Sequence, residues 1–411
     1  MSQIDLRRPD GSHRVVVTGM GAVTGFGVGL GRYWQGICEG RTAIAPTTRS
    51  FEDLEITRPA AVIADYVPED HFTNTELLIA EPFVQFAQLA AREAVANAGL
   101  GAAQLSDAAI ILGCGGGGEK SREDVARQLF GKKRPRAHPM TVPRTNHQAV
   151  VGIIAIEHQI LGPGMVIATG CAAGSHAVAQ ATMMLRHGYA DVALTGGTEA
   201  NILYSAMRAF DAARTVAPDT CRPFSIGRGG LAFGEGAGVL VIETLTSAQA
   251  RGANIIAEIA GFGMSSDARD TVQPTLRGPV RAVTLALKDA AMPPGDVAYV
   301  SAHGTGTPLN DVVETQVAHA VFGPHAGNLM MSSTKSQIGH TFGAAGALEL
   351  IATLNGMAQG VVPPTVNHQG PDPECDIDCV PNAARAQPFS AAVSQSFAFG
   401  GVNAAIAVRR I

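Results

Sequence analysis

Val166-Ile-Ala-Thr-Gly-Cys-Ala-Ala-Gly-Ser-His-Ala-Val-Ala-Gln-Ala181 is the stretch on which the reading of this chain turns. An apolar, β-like run from Val166 to Thr169 meets Gly170-Cys171 and passes straight into a small-residue segment of helical character. One cysteine therefore stands at a strand-to-helix turn, where unpaired N–H groups and the helix dipole favour a thiolate. The same residues also describe a buried cysteine in a tight turn, because free Cys is among the most buried residue types. The remainder of the chain has to choose between nucleophile and packing residue.

Outward from that turn, apolar strand-like runs alternate with helical stretches. Toward the N-terminus, 146–161 reads as a helix and 108–112 as a buried strand that opens into Gly113-Cys-Gly-Gly-Gly-Gly118. Phe83, Phe86, Ala87, Ala90, Ala94 and Ala98 recur at helical spacing, which predicts an amphipathic helix over 76–99 stopped by Gly99. The run from Arg14 to Gly27 predicts a buried strand breaking into a glycine-rich turn. Its glycines do not give G-x-G-x-x-G and no acidic residue follows at the right distance, which argues against dinucleotide binding. Trp34, in a predicted helix over 30–40, reads as core.

Toward the C-terminus, the predicted strands are 192–195, 238–243, 254–263, 297–301, 391–396 and 404–409. Helices are expected over 280–291, 311–322 and 343–359, and the Gly-, Arg- and Pro-rich segment 209–236 should wrap a surface or site. This alternation predicts an α/β chain with mostly parallel, helix-covered sheets. It falls into two similar stretches, 1–253 and 254–411, which allows an internal duplication without proving one.

Composition narrows the function classes. Of 411 residues, 46% are hydrophobic and 16% charged, enough for a sizeable core, and 48 glycines favour many tight turns. A net charge of −5 argues against a nucleic-acid partner. No apolar run reaches the roughly 18 residues of a membrane span. Residues 1–13 are polar and lack an apolar signal core, so a cytoplasmic protein is expected. Six scattered cysteines then read as free thiols. Cys375-Asp-Ile-Asp-Cys379 has no second Cys/His pair at zinc-site spacing, and no metal is expected.

Two further stretches carry chemistry. Ser301-Ala-His-Gly-Thr-Gly-Thr-Pro-Leu-Asn-Asp311 sets His303 at a strand end inside a glycine/threonine turn. Ser333-Thr-Lys-Ser-Gln-Ile-Gly-His-Thr341 sets Lys335 and His340 before the helix that carries Glu349. A third strand end, Ser396-Phe-Ala-Phe-Gly-Gly-Val-Asn403, has paired glycines. Strand-end turns are where α/β folds collect their chemistry, which favours the nucleophile reading of Cys171.

These stretches resemble the β-ketoacyl synthase family, the condensing enzymes of the thiolase-like fold. The likeness runs from Val15 to Val408 and is closest to the 3-oxoacyl-[acyl-carrier-protein] synthase II branch. Arg222-Pro-Phe, Gly234-Glu-Gly-Ala-Gly238, Gly261-Phe-Gly-Met-Ser-Ser-Asp267 and Pro363-Pro-Thr-Val-Asn367 carry it as well. A branch with a Cys-His-Asn set lacks the Lys335-to-His340 motif. Thiolases usually carry a second catalytic cysteine near the C-terminus, where this chain has phenylalanines.

The resemblance implies two α/β halves forming a layered αβαβα core, and a decarboxylative Claisen condensation of acyl-carrier with malonyl-carrier thioesters in fatty-acid elongation. Cys171 would carry the acyl group. Backbone N–H groups of Cys171 and Phe399 would hold the oxyanion, and the neutral Nε2–H donors of His303 and His340 would stabilise the enolate. Lys335 would order His340 and the surrounding charge together with Glu349, as a buried salt bridge, and Phe399, in preference to Phe397, would gate the site beside Gly400-Gly401. Thr305 and Thr307 would bind the phosphopantetheine arm, with Phe210 and Phe397 also expected at the substrate.

An acidic acyl carrier protein would dock on Lys132, Lys133, Arg134, Arg136 and Arg214, bringing the phosphopantetheine with it, so no resident cofactor is expected. Thr73-Asn-Thr-Glu-Leu-Leu78 stands where basic residues are frequent, so carrier choice could differ from that of a housekeeping enzyme. Cys114 and Thr141 stand where bulkier residues are usual, which predicts a longer or differently shaped acyl tunnel. Gly170 replaces the usual alanine before the cysteine. A homodimer is implied, with a heterodimer of related synthases as the alternative. The other readings kept open are a specialised synthase for very long, unsaturated or polyketide-like chains, and a non-catalytic chain-length partner, which would usually lack the cysteine.

Overall fold

Val15–Thr24 is buried at all ten positions, as a strand covered on both faces must be. The computed structural model describes residues 5–131 and 136–411, and this strand lies near the middle of their principal sheet. In chain order the first half supplies Val15–Thr24, Ala109–Gly113, Gly164–Ile167, Val192–Glu199 and Gly236–Thr244. The second supplies Ala257–Ser266, Tyr299–Ser301, Met330–Ser332, Ala391–Ala398 and Val402–Arg409.

Both sets follow one spatial order: third, second, fourth, fifth, first. In each, the second strand runs parallel to the third and fourth, while the fifth is antiparallel to the fourth and the first. The two first strands meet antiparallel, Val16 opposite Glu258. The same strand order thus recurs in both halves of the sheet. Mostly parallel sheets are not what forms, because each half ends in an antiparallel return. In the second half that return is the short turn Phe399-Gly400-Gly401.

Pro82–Ala98 and Arg277–Asp289 cover the first strands of their halves, while Ala173–Arg186 and Ala345–Gln359 pack against each other and against strands of both halves. These middle helices are rich in small residues and buried almost all round. A Cβ on Gly346 would fall 2.1 Å from Ser175 Oγ, so glycine permits the close approach. The result is the layered, thiolase-like αβαβα arrangement. No helix among the described residues is long and apolar enough to cross a membrane.

The helix expected over 76–99 is two helices, Asn74–Ile79 and Pro82–Ala98. Proline starts a helix well but disfavours helical geometry in the residue before it, so the chain breaks ahead of Pro82. Thr73 and Glu76 form a capping box for the shorter helix. The hairpin Ala45–Phe51 and Leu54–Ala61 was not expected, since its outer strand is largely exposed and lacks apolar alternation.

Candidate active site

The third strand of each half ends beside the middle layer, and both of those ends carry chemistry. In the first half the chain leaves Gly164–Ile167, turns through Gly170–Ala172 and enters Ala173–Arg186. Gly170 takes φ 58, a left-handed conformation that costs a residue with a Cβ, and this presents Cys171 at the helix start. In the second half Lys335–Ile338 leads to His340, and the chain enters Ala345–Gln359. His303 follows the second strand of that half.

These three residues converge. A ring nitrogen of His303, one of His340 and the sulfur of Cys171 lie within 4.8 Å of one another. The ring centroids of the two histidines are 5.4 Å apart and near perpendicular. They border a cavity of about 320 Å³ that is also lined by Thr305, Thr307, Phe210, Phe397, Phe399 and Arg214.

Hydrogen bonds assign both tautomers. The Phe342 N–H points at His340 Nδ1 from 3.1 Å, so Nδ1 accepts and the proton sits on Nε2. Lys335 Nζ lies 3.3 Å from His303 Nδ1 and donates to the His303 carbonyl, which fixes the same tautomer there. Burial, with Lys335 adding to it, holds both imidazoles well below their ordinary pKa, so both are neutral Nε2–H donors at pH 7. Lys335 also pairs with Glu349, both fully buried. The expected service of Lys335 to His340 is thus corrected: its contacts are to His303, because the turn after the second strand passes over its ammonium.

The expectation of a ready thiolate is also corrected. Burial pushes the Cys171 thiol up to about 11, with Lys335 pulling the other way. The helix start does not overcome the cost of a charge in this apolar setting.

Phe399 and Phe397 differ as the glycines suggested. Phe397 is buried against His303, whereas Phe399 is 49% exposed. Gly400 and Gly401 follow Phe399 at φ 82 and 66, and its ring stacks on Phe210 with centroids 6.4 Å apart. Among the described residues its N–H makes no hydrogen bond, leaving a donor over the cavity. The Thr305 and Thr307 hydroxyls lie 2.9 Å apart on the wall, and Arg214 is exposed at the rim.

Cys114 and Thr141 do not line this cavity. Cys114 is fully buried in the apolar core around Pro82–Ala98, its sulfur 4.0 Å from Glu199. Thr141 begins a short helix, Thr141–Thr145, on the protein surface. Arg136 is exposed and does not line the cavity, and Lys132, Lys133 and Arg134 lie outside the described residues.

Sequence reasoning missed the buried acids beneath the site. Glu314 accepts the N–H groups of His303 and Gly304 at 2.5 and 2.6 Å, and burial pushes its carboxyl up to about 8. Asp311 accepts from Phe224 and Gly306 and is pushed up by burial to about 6. Glu199 accepts from Gly115, Gly116 and Gly343, and burial carries it to about 7. The available signal was an acidic pair three residues apart, Asp311 and Glu314, directly after the Gly-Thr-Gly-Thr turn.

The model of the Beta-ketoacyl synthase N-terminal domain matches residues 12–248, and that of the C-terminal domain matches 256–369. The chain is 42% identical to nodulation protein E of Rhizobium sp. (strain N33), over 97% of this chain and 99% of that one. It is 39% identical to 3-oxoacyl-[acyl-carrier-protein] synthase 2 of Synechocystis sp., over 97% and 98%. Among solved structures it is similar to a complex of a type II PKS acyl-carrier protein with its ketosynthase bound to the hexaketide. That ketosynthase is 28% identical with a TM-score of 0.88, the match covering 97% of this chain and 100% of that one.

Proposed function

The chain belongs to the β-ketoacyl synthase family and condenses acyl-carrier with malonyl-carrier thioesters in fatty-acid elongation, giving 3-oxoacyl-carrier and CO₂; on that premise we propose how its residues divide the work. Cys171 is the nucleophile. Its sulfur attacks the acyl-carrier carbonyl, and its proton passes to the leaving phosphopantetheine sulfur, so no charge is left in the site. The N–H groups of Cys171 and Phe399 hold the oxyanion of the tetrahedral intermediate.

Malonyl-carrier then loses CO₂. The Nε2–H groups of His303 and His340 stabilise the enolate oxygen, and the enolate carbon attacks the acyl group on Cys171. The sulfur leaves as thiolate and is reprotonated, as a thiol held up at about 11 must be at neutral pH. Two neutral donors suit this step better than imidazolium, which would hold the malonyl carboxylate against decarboxylation.

Phe399 is the gate, free to swing on two glycines and resting on Phe210. Thr305 and Thr307 hold the phosphopantetheine arm, and the cycle draws on no resident cofactor. The acyl carrier protein docks at the rim near Arg214, and the basic run Lys132, Lys133, Arg134 and Arg136 is the stretch of sequence expected to attract its acidic surface. Two copies pair through the edge strand Gly164–Ile167, around which Met165, Ile156 and Leu161 expose 37%, 80% and 84% of their surfaces. The cytoplasm suits six free thiols.

One observation carries the proposal: a cysteine sulfur and two tautomer-locked histidines within 4.8 Å at an apolar cavity. The same set argues against a non-catalytic partner. Cys171→Ala is the test. It should abolish self-acylation and condensation while the protein stays folded; retained condensation would sink the nucleophile assignment.

A further inference from the structure

The two histidines of the site are held by different means. Lys335 Nζ lies 3.3 Å from His303 Nδ1, and Glu314 takes the His303 backbone N–H. Among the described residues the His340 ring has one hydrogen bond, from the Phe342 N–H to Nδ1 at 3.1 Å. The His340 backbone is pinned separately, its N–H on the Ala232 carbonyl at 2.7 Å and its carbonyl on the Gly234 N–H at 2.9 Å. The χ2 torsion of a histidine is broad and roughly two-fold, so one hydrogen bond in the ring plane leaves the imidazole free to rock about it.

Phe342 removes that freedom with its side chain. Its ring lies over His340 with centroids 4.7 Å apart and planes 18° from parallel. His303 meets the same imidazole at 83°, and its own neighbour Phe397 stands 6.1 Å away at 60°. Phe342 packs in turn on Phe210 at 5.0 Å and Phe233 at 6.0 Å, so the brace is itself held. It is buried and does not line the cavity.

The backbone shows that this placement is strained. Phe342 takes φ 44, a left-handed conformation that disfavours any residue with a Cβ. Glycine adopts that region freely, and the chain uses Gly339 at φ 68 three residues earlier. At 342 it keeps a phenylalanine instead. One residue thereby sets its N–H on Nδ1 and its ring across the face of the same imidazole. Strain of this kind persists where the surroundings over-determine it, and it gathers at functional sites.

We propose that Phe342 is a positioning residue for malonyl decarboxylation. Its ring fixes the plane of His340 so that Nε2–H points to where the enolate oxygen forms. A donor already in place stabilises that charge without reorganising as it develops. The inference deepens the reading of His340 as enolate donor and rests on it. Acyl transfer to Cys171 draws on backbone N–H groups instead, so it should be spared.

The test sets Phe342→Leu against Phe233→Leu. Both remove one buried ring from the same apolar cluster and keep the backbone N–H, but only the first ring lies on His340. Release of ¹⁴CO₂ from malonyl-carrier and labelling of Cys171 by acyl-carrier are measured on the purified enzymes. We expect Phe342→Leu to lower kcat for ¹⁴CO₂ release about threefold to tenfold, the scale of one aromatic pair, with KM for malonyl-carrier near that of the parent. Labelling of Cys171 should stay within about twofold of the parent. Phe233→Leu should lower the melting temperature by a similar amount and leave both rates near those of the parent.

Should Phe342→Leu fail to fold, Phe342→Met, whose flexible chain fills irregular space, replaces it with the same expectation. Parent-like ¹⁴CO₂ release in the Phe342 variant overturns the inference, as does an equal loss in both steps or the same loss from Phe233→Leu. A defective His340→Ala beside a normal Phe342→Leu removes the brace alone. Parent-like ¹⁴CO₂ release in His340→Ala removes the reading beneath it.

Discussion

The two halves of this protein place the same strands in the same order, yet their corresponding ends do different things. After the second strand, the first half makes Gly113-Cys114-Gly115-Gly116 and the second makes Ala302-His303-Gly304. In both, adjacent backbone N–H groups converge on one buried carboxylate: Gly115 and Gly116 on Glu199, His303 and Gly304 on Glu314. One turn sinks a thiol into the core, and the other holds an imidazole over the cavity. After the third strand, the first half supplies Cys171 and the second His340. After the fourth, the first half runs out through Phe210 and Arg214, and the second closes in a short turn at Phe399. The two halves thus offer equivalent platforms, and chemistry arises because their occupants differ. Neither half holds a complete site.

That division can be broken in order of expected effect. Replacing His340 or His303 by alanine should cost malonyl decarboxylation about 10²–10³-fold, as loss of an oxyanion-type donor does, while acyl transfer to Cys171 falls less. Release of ¹⁴CO₂ against labelling of Cys171 separates the two. Equal losses in both would mean that the halves do not divide the steps as described.

The twin carboxylates sharpen the comparison. Glu314→Gln should lower kcat about tenfold, because it leaves one oxygen for two N–H groups beneath His303, whereas Glu199→Gln should act mainly on stability. A larger kcat loss for Glu199→Gln would reverse the assignment of the two turns.

Glu199 also predicts a pH signature. Its folded pKa, about 7, lies above that of an unfolded glutamate, so the folded state binds the extra proton and its contribution is fully present below about pH 4.5. That contribution is lost as pH rises through 7. Melting temperatures at pH 5 and 8 should therefore show the variant gaining on the parent as pH rises; a constant gap would contradict it. The smallest effect is expected from Gly170→Ala. At φ 58 a Cβ costs about 1–2 kcal/mol, but its nearest neighbour is Ala398 at 3.8 Å, so the melting point should drop a few degrees with activity kept.

Much of this was legible in the residues. Strand-like runs ending in glycine turns marked the α/β class; Cys171 and His303 stood out at the ends of such runs, and His340 through the Lys335-to-His340 motif ahead of a helix. The helix break at Pro82 was legible too and was passed over, since apolar spacing continues across it. Asp311 and Glu314 offered a signal as an acidic pair after the Gly-Thr-Gly-Thr turn, whereas Glu199 was not legible as functional, because a lone acid near a turn has no distinguishing pattern until its partners are known. Cys114 misled for the same reason: its place in the sequence says that it lies in a turn, but not toward which side.

The sequence by itself determined the α/β class and most of the strand and helix runs, since these follow from periodicity, while the roles of Cys171, His303 and His340 came from the family resemblance that their motifs carry. Tertiary structure alone decided that Lys335 contacts His303 and that Cys171 rests as a thiol. Protonation and tautomer depend on burial and on donors that arrive from distant residues. They become properties of the protein only when the two halves close on each other.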